Sequence, residues 1–401
     1  MTRDIRIPWR VAVVQRTLPR YRIPSYGAII DAAAPGSIVL HGRVQSKRQP
    51  KQNAWLEPVP FARRALTCWS VALRIGEQLV YPVFLPGLGR ALRDAAPDVI
   101  VTEGESNLLN NFAVARYARR AGVPYIWWGL GAIPGGRPSG LRRLFGGTLQ
   151  RLIAGAGGVA CYSSYARTFY IGQGADPACC QIVPNVLDHR ITDAGIARFA
   201  DQARAQRCAF GVADEDLVLL TVGSLEGPKR IHLALEAVRL LQAESDRRIH
   251  FWIVGDGPER SALEALSASL ALADVRFWGA RYDDVSLYFL MSDLFVLPGL
   301  GGLSINQAMM HALPVICGPA DGTERDLVVD GRYGRLISEV TPRTLADAIA
   351  DAAAGDLKAM GRAAQDHIRA GFSLAAQTGA LARLIDAAMA GRGMSDNAAA
   401  R

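Results

Sequence analysis

Cysteine is sparse in this chain: Cys68, Cys161, Cys179, Cys180, Cys208 and Cys317 are the only six in 401 residues, with no CxxC pair and no metal-ligand spacing. That argues against a zinc ribbon or a disulfide scaffold, and the adjacent Cys179 and Cys180 are awkward disulfide partners. A reducing, cytoplasmic compartment is expected. Long apolar runs are missing too. No stretch of about 18 uncharged apolar residues occurs, and the opening MTRDIRIPWRVAVVQ lacks an apolar segment followed by a small-residue cleavage site. Neither a membrane span nor a secretory signal is expected. What remains is an ordinary globular composition, 50% hydrophobic and 20% charged, at a length that favours two domains with sizeable cores.

Charge is unevenly shared. Residues 1–200 hold 25 Lys and Arg against 11 Asp and Glu, and the remainder holds 20 against 26, so the halves carry +14 and −6. The first half is suited to an anionic neighbour: a membrane surface, a phosphorylated acceptor or a nucleic acid. A solvated basic face gives the same count. Two stretches of that half, FARRALTCWSVALRIGEQLVYPVF and SGLRRLFGGTLQRLIAGA, combine bases with apolar residues at helical spacing, the second setting Arg142, Arg143 and Arg151 beside Leu141, Leu144, Phe145, Leu149 and Leu152. Such helices lie in a membrane interface or turn their apolar side to a core. With the charge asymmetry they predict peripheral attachment to an anionic membrane, at the cytoplasmic face of the inner membrane.

Short β-rich runs alternate with helical patterns: RVAVVQ, SIVLHG, DVIVTEG, PYIWWG and GVACYSS, then, after QIVPNVLD and a polar helical stretch from Arg190 to Arg207, LVLLTVGS, HFWIVGDG, VRFWGA, LFVLPG, PVICG and GRLIS. This is the rhythm of parallel strands joined by helices, an α/β fold with two doubly wound Rossmann-like domains. Expected bounds are 1–190 for the first domain, 191–213 for a linker, 214–374 for the second domain, 375–390 for a final helix packing back across the domains, and 391–401 for a disordered tail.

Ligands of open α/β sheets bind beyond the carboxyl ends of the strands. Three loops of the second half fall there. TVGSLEGPKR offers Gly223 and Ser224 at a strand end, then Lys229 and Arg230, cations suited to a diphosphate. IVGDGPER offers Gly255, Asp256 and Gly257, where backbone approaches a ligand closely. VLPGLGGLSINQAMM places Gly299, Gly301, Gly302, Leu303 and Ser304 at a helix start whose N–H groups attract anions or hydroxyls, with Gln307 one turn on. Each loop alone also reads as ordinary surface.

These loops, in this order and spacing, resemble the retaining GT-B glycosyltransferases, specifically glycosyltransferase family 4 of the bacterial exopolysaccharide and lipopolysaccharide type. The resemblance covers the second half closely, through VRFWGARYDD, and the first half loosely. It implies two domains facing across a cleft and transfer of a sugar from a nucleotide-sugar, with retained configuration, to a glycan or polyprenyl-linked acceptor. In the family an Arg and a Lys hold the donor diphosphate; Lys229 matches the Lys, and Ser224 stands in place of the Arg. The family's two glutamates fall on Gly299 and Gln307, so neither carboxylate is present. The run P-G-x-x-G-L resembles polysaccharide transferases that lack the first of them, and Gln307 keeps a carbonyl acceptor for ribose.

The resemblance assigns the base to the neighbourhood of Arg281, the ribose to Gln307, and the diphosphate to Lys229, Arg230 and the Gly-rich helix start. In the first half, QRTLPRYRIPSYGAI resembles the acceptor-facing loop of such enzymes. There Tyr21 and Arg22 are acceptor or phosphate contacts, while Glu103 and Glu105, just past a strand, are placed for an acceptor hydroxyl. Glu103 is counted with Lys229 and Arg230 among the catalytic candidates. Both acids read equally well as helix-capping or solvated loop residues. Many relatives carry a histidine in WWGLGAIPGG, where this chain has Leu130. His311 reads as structural. No protein nucleophile is identifiable, and no metal or other cofactor is expected, Asp283 and Asp284 reading as a turn. Two other readings stay open: a non-catalytic nucleotide-sugar-binding partner of a transferase, and a GT-B-fold epimerase. No nucleic-acid-binding module is present, and no such partner is expected.

Overall fold

The computed structural model describes residues 5–43, 57–70, 73–75, 78–80, 82–134 and 140–399, with side chains described except at 73–80, 140–145 and 392–399. Its contacts divide the chain into unit 1, Met1–Leu187 with Leu374–Arg401, and unit 2, Asp188–Ser373.

Unit 1 runs β1 (Val11–Gln15), α1 (Ile23–Ala32), β2 (Ile38–Gly42), β3 (Arg63–Leu66), β4 (Trp69–Ser70), β5 (Leu73–Ile75), β6 (Gln78–Val80), β7 (Val83–Phe84), α2 (Leu88–Ala95), β8 (Val99–Glu103), α3 (Leu108–Ala121), β9 (Tyr125–Gly129), α4 (Gly140–Ala154), β10 (Gly158–Cys161), α5 (Ser164–Gly172) and β11 (Cys180–Ile182). Seven strands form a parallel sheet in the order β11-β10-β9-β8-β1-β2-β3. Strands such as VAVVQ are buried at every position because helices cover both faces of the sheet. The chain order reverses between β1 and β8, and the crevice at such a reversal is where ligands of this architecture bind.

Unit 2 runs α6 (His189–Ala209), β12 (Leu217–Val222), α7 (Ile231–Glu244), β13 (Ile249–Val254), α8 (Arg260–Ser269), β14 (Val275–Gly279), α9 (Val285–Leu290), β15 (Leu294–Leu297), α10 (Gly302–Met310), β16 (Val315–Cys317), α11 (Glu324–Leu327), β17 (Gly334–Leu336), α12 (Pro342–Ala353) and α13 (Leu357–Gly371). Its parallel sheet is ordered β14-β13-β12-β15-β16-β17, reversing between β12 and β15. All six residues of β12 are buried, and its one polar side chain, Thr221, donates to Val296 O on β15. That bond satisfies a hydroxyl that burial would otherwise strand.

The structure departs from the sequence reading in three places. FARRALTCWSVALRIGEQLVYPVF is not helical: it carries β3 to β7, with β4 pairing β7 and β5 pairing β6. Its Trp, Val, Ile, Tyr and Phe content, interrupted by Gly76 and Pro82, favours strands over the helix suggested by the spacing of its apolar residues. The segment read as a linker is most of α6, which packs on α9 within unit 2. The last helix, α14 (Leu374–Ala399), belongs to unit 1, against α1, β10 and β11, and extends past residue 390 into the segment read as a tail, since turns already packed propagate at little cost. The second basic stretch does form a helix, α4, with Leu149 and Leu152 buried and Arg151 exposed; the side chains of Leu141, Arg142, Arg143, Leu144 and Phe145 lie outside the described residues.

Candidate functional site

The strand reversal of unit 2 brings together the loops after β12 and β15. Gly223 and Ser224 leave β12, and a single helical turn, Gly227–Lys229, then carries Lys229 back over the strand ends. Lys229 Nζ donates to Leu300 O at 3.0 Å, and Leu300 N donates to Pro228 O at 3.0 Å, so two loops 71 residues apart are tied at both ends of one contact. Burial lowers the Lys229 pKa, opposed by the nearby carboxylates Glu226 and Asp321. A desolvated ammonium that donates to one carbonyl among the described residues still has donors to offer, since Lys carries three.

The tie explains Gly299. A Cβ there would sit 2.2 Å from Pro228 O and 2.9 Å from Lys229 C, both backbone atoms, so no side chain fits while the loops are joined. The carboxylate that the family resemblance puts at this position is excluded by space as well as by sequence. Gly301 begins the next element with φ of 154°, and a Cβ there would meet Lys229 Nζ at 2.9 Å. Glycine thus lets the start of α10 come against the ammonium. Gly302 is buried beside Thr323 and Asp321, while the Ser304 hydroxyl turns back to Gly301 O at 2.7 Å. Gln307 is half-buried, and its side-chain amide has no hydrogen-bond partner among the described residues. Leu303 is likewise half-buried.

Other expected residues are placed differently. Arg230, expected beside Lys229 on a diphosphate, occupies the left-handed region at φ 54° and donates from Nη2 to Val340 O at 3.0 Å. The adjacent cations therefore serve separate partners. Gly255 packs its backbone on Gly223 and Gly257 packs on Leu225, closing the β13 loop over the β12 loop; Asp256 accepts from Gly257 N at 2.8 Å and so acts within its own turn. Arg281, after β14, donates to Trp278 O at 3.2 Å, pairs with Asp284 at 3.4 Å, and lies 5.7 Å from the Tyr288 ring centre.

Three residues beside the helix start went unremarked in the sequence. Thr323 donates to Asp321, and Glu324, fully buried, accepts from Gly322 N at 2.7 Å. Burial raises the Glu324 pKa despite three backbone hydrogen bonds. The signal was the run ADGTE directly after a strand, a glycine between acids.

In unit 1 the β1–β8 reversal gathers the remaining candidates. Glu103 ends β8, accepts from Arg16 Nε at 2.9 Å and from Ser106 Oγ at 2.6 Å, and also from Arg16 N at 3.2 Å. Burial pushes its pKa up, but Arg16 outweighs that and leaves it below the usual carboxylate range. A carboxylate so held is a poor proton acceptor, so the catalytic role expected for Glu103 becomes one of holding Arg16. Glu105 is hydrogen-bonded to the Tyr170 hydroxyl, which itself accepts from Gly131 N at 3.0 Å. Tyr21 is exposed. Arg22 is buried beneath it, its guanidinium 4.9 Å from the Trp128 ring centre and 5.2 Å from that of Tyr162.

Among the described residues no group of three or more His, Cys, Asp or Glu side chains is arranged to hold a metal ion, and no helix is long and apolar enough to cross a membrane.

The comparison with known proteins falls on the loops just described. Residues 216–354 match the family model of glycosyl transferases group 1. A D-inositol 3-phosphate glycosyltransferase of Geodermatophilus obscurus is 31% identical over 206 residues, 48% of this chain and 44% of that protein. The chain thus spans less than half the length of that curated relative. Among solved structures, Anabaena Alr3699/HepE in complex with UDP superposes with a TM-score of 0.70 at 18% identity, over 94% of this chain and 99% of that one. A lipopolysaccharide outer core galactosyltransferase, WaaB, gives 0.66 at 13% identity over 94% and 99%. At these identities the likeness is one of fold: two Rossmann-like α/β units of the GT-B type.

Proposed function

We propose that this protein is a glycosyltransferase that takes its sugar from a nucleotide-sugar. The observation that carries the reading is the meeting of Lys229, the glycine-lined start of α10 and the unpartnered amide of Gln307 at the strand reversal of unit 2, inside the segment that matches glycosyl transferases group 1. In this reading the ammonium and the first N–H groups of α10 bind the diphosphate and stabilise the charge that develops as the nucleotide departs. Gln307 accepts from the ribose, Arg281 lies near the base, and unit 1 reads the acceptor.

The finer terms belong to the same proposal. Transfer retains configuration, as the resemblance to retaining enzymes implies. The acceptor is a glycan or a polyprenyl-linked glycan of the cell surface. Unit 1 holds 26 Lys and Arg against 11 acids and unit 2 holds 19 against 26, which suits unit 1 to an anionic membrane. Metal is not required, because Lys229 supplies the cation at the diphosphate.

Calorimetry with a panel of nucleotide-sugars, together with nucleoside diphosphate release, tests the reading on wild type and Lys229→Ala. One donor that binds and is turned over, with both lost in the variant, supports it. A chelator that abolishes release would overturn the metal-free mechanism, and indifference to anionic vesicles at low salt would overturn membrane attachment. A second reading, a nucleotide-sugar-binding partner without activity, is favoured by the closed position at Gly299; binding without release in the presence of membrane extract would select it.

A further inference from the structure

Arg22 is 5% exposed and pairs with no carboxylate among the described residues. Its Nη2 donates to the Tyr162 hydroxyl, and the rings of Trp128, Tyr162 and Tyr21 lie 4.9, 5.2 and 5.6 Å from its guanidinium carbon. Nη1 has no hydrogen-bond partner among the described residues. Cation–π contact recovers only part of what withdrawing a charge from water costs. The aromatic box therefore leaves the guanidinium short of a counter-charge.

Its surroundings are built for an anion. Arg22 is the residue from which α1 starts, Ile23 N already donating to Arg20 O and Pro24 having no N–H to give. The Tyr26 hydroxyl and Ser25 Oγ, one helical turn on, are fully buried and also lack a hydrogen-bond partner among the described residues. Burial pushes the Tyr162 pKa up to about 12 and that of Tyr26 well above its ordinary value, so both remain neutral hydroxyls. Arg16 stands on the same loop, with one carboxylate, Glu103, already engaged by its backbone and side chain. All of this sits past the carboxyl end of β1, at the reversal of the sheet, where open α/β folds place ligands.

We infer that unit 1 holds an oxyanion site centred on Arg22, with the hydroxyls of Tyr26 and Ser25 as further donors, and that the group it takes is a phosphoryl group carried by the acceptor. The word acceptor rests on the transferase reading; the anion site does not. A phosphoryl group suits it better than a carboxylate because it brings more acceptor oxygens to one guanidinium nitrogen and two hydroxyls. Tyr21, exposed at the rim, then covers the entrance.

Inorganic phosphate is the probe, titrated calorimetrically into the full chain carrying Lys229→Ala, which silences the phosphate-binding candidate of unit 2. Saturable binding is expected, weakened tenfold or more by adding Arg22→Gln, and absent with acetate. Should Arg22→Gln fail to fold, Arg22→Lys and Tyr26→Phe serve in its place, each weakening phosphate several-fold. No saturable binding in the parent, or equal binding in all the variants, overturns the site; acetate binding as tightly as phosphate overturns the phosphoryl assignment. Nucleotide-sugar binding by the Arg22 variants with Lys229 intact reports on unit 2 alone, so the donor-site reading stands or falls separately.

Discussion

The ammonium of Lys229 and the carbonyl of Leu300 meet at 3.0 Å, joining the loop that leaves β12 to the loop that leaves β15. Because this contact lies at the reversal of the unit 2 sheet, one side chain both closes the crevice and offers it a positive charge.

Lys229→Ala removes a charged donor, and hydrogen bonds to charged groups are worth about 1.5–3 kcal/mol. Nucleoside diphosphate affinity should fall roughly 10- to 100-fold by calorimetry. The depressed pKa of this lysine also sets a sign. Affinity should decline with rising pH at a lower pH than an ordinary lysine would give, since deprotonation removes the charge the phosphates require. An affinity unchanged by the substitution would remove Lys229 from the site.

Restoring a glutamate at position 299 should not restore a family active site. Its Cβ would lie 2.2 Å from Pro228 O, so Gly299→Glu and even Gly299→Ala must part the two loops, at a cost of about 1–3 kcal/mol in denaturant unfolding. A stable Gly299→Glu protein with faster nucleotide release would refute the steric account.

Gln307→Glu is the opposite case, because that half-buried amide has no partner to lose. A charge-assisted bond to a ribose hydroxyl is about twice as strong as a neutral one. Nucleotide affinity should rise severalfold, with the melting temperature little changed.

His311 gives a pH signature of folding. It is buried, stacked 4.5 Å from Phe289, with Nδ1 on Gln307 O and Nε2 unpartnered, and burial lowers its pKa to about 4. With an unfolded value near 6.5, the folded state resists protonation. Its contribution is fully present above about pH 6.5 and is lost as pH falls through about 4, a total of about 3 kcal/mol. Urea unfolding from pH 7 to 4 should show this slope, and His311→Phe should flatten it.

How much of this was legible beforehand depends on how local each signal is. Parallel strands were readable because buried runs such as LVLLTV leave no alternative, and the loops after them follow from the architecture. Arg230 was misread because adjacent cations look equivalent on paper; the positive φ that diverts its side chain to Val340 is set by the tertiary turn. Glu103 looked like a free acid because its partner Arg16 is 87 residues away in sequence and meets it only when β1 and β8 pair. The FARRALTCW segment was misjudged for the same reason: apolar spacing suited a helix, whereas pairing with β2 made its first part a strand.

Helix α14 carries one more implication. Leu381, Leu384 and Ile385 fill the core of unit 1 beside Ile7, Val11 and Val13, although they are separated from them by the whole of unit 2. On the ribosome, therefore, the first unit to begin is the last to finish. Unit 2 is translated in full while the sheet of unit 1 still lacks the helix that covers it. A chain cut short before Leu374 would therefore carry the whole of unit 2 and an open, aggregation-prone sheet face on unit 1.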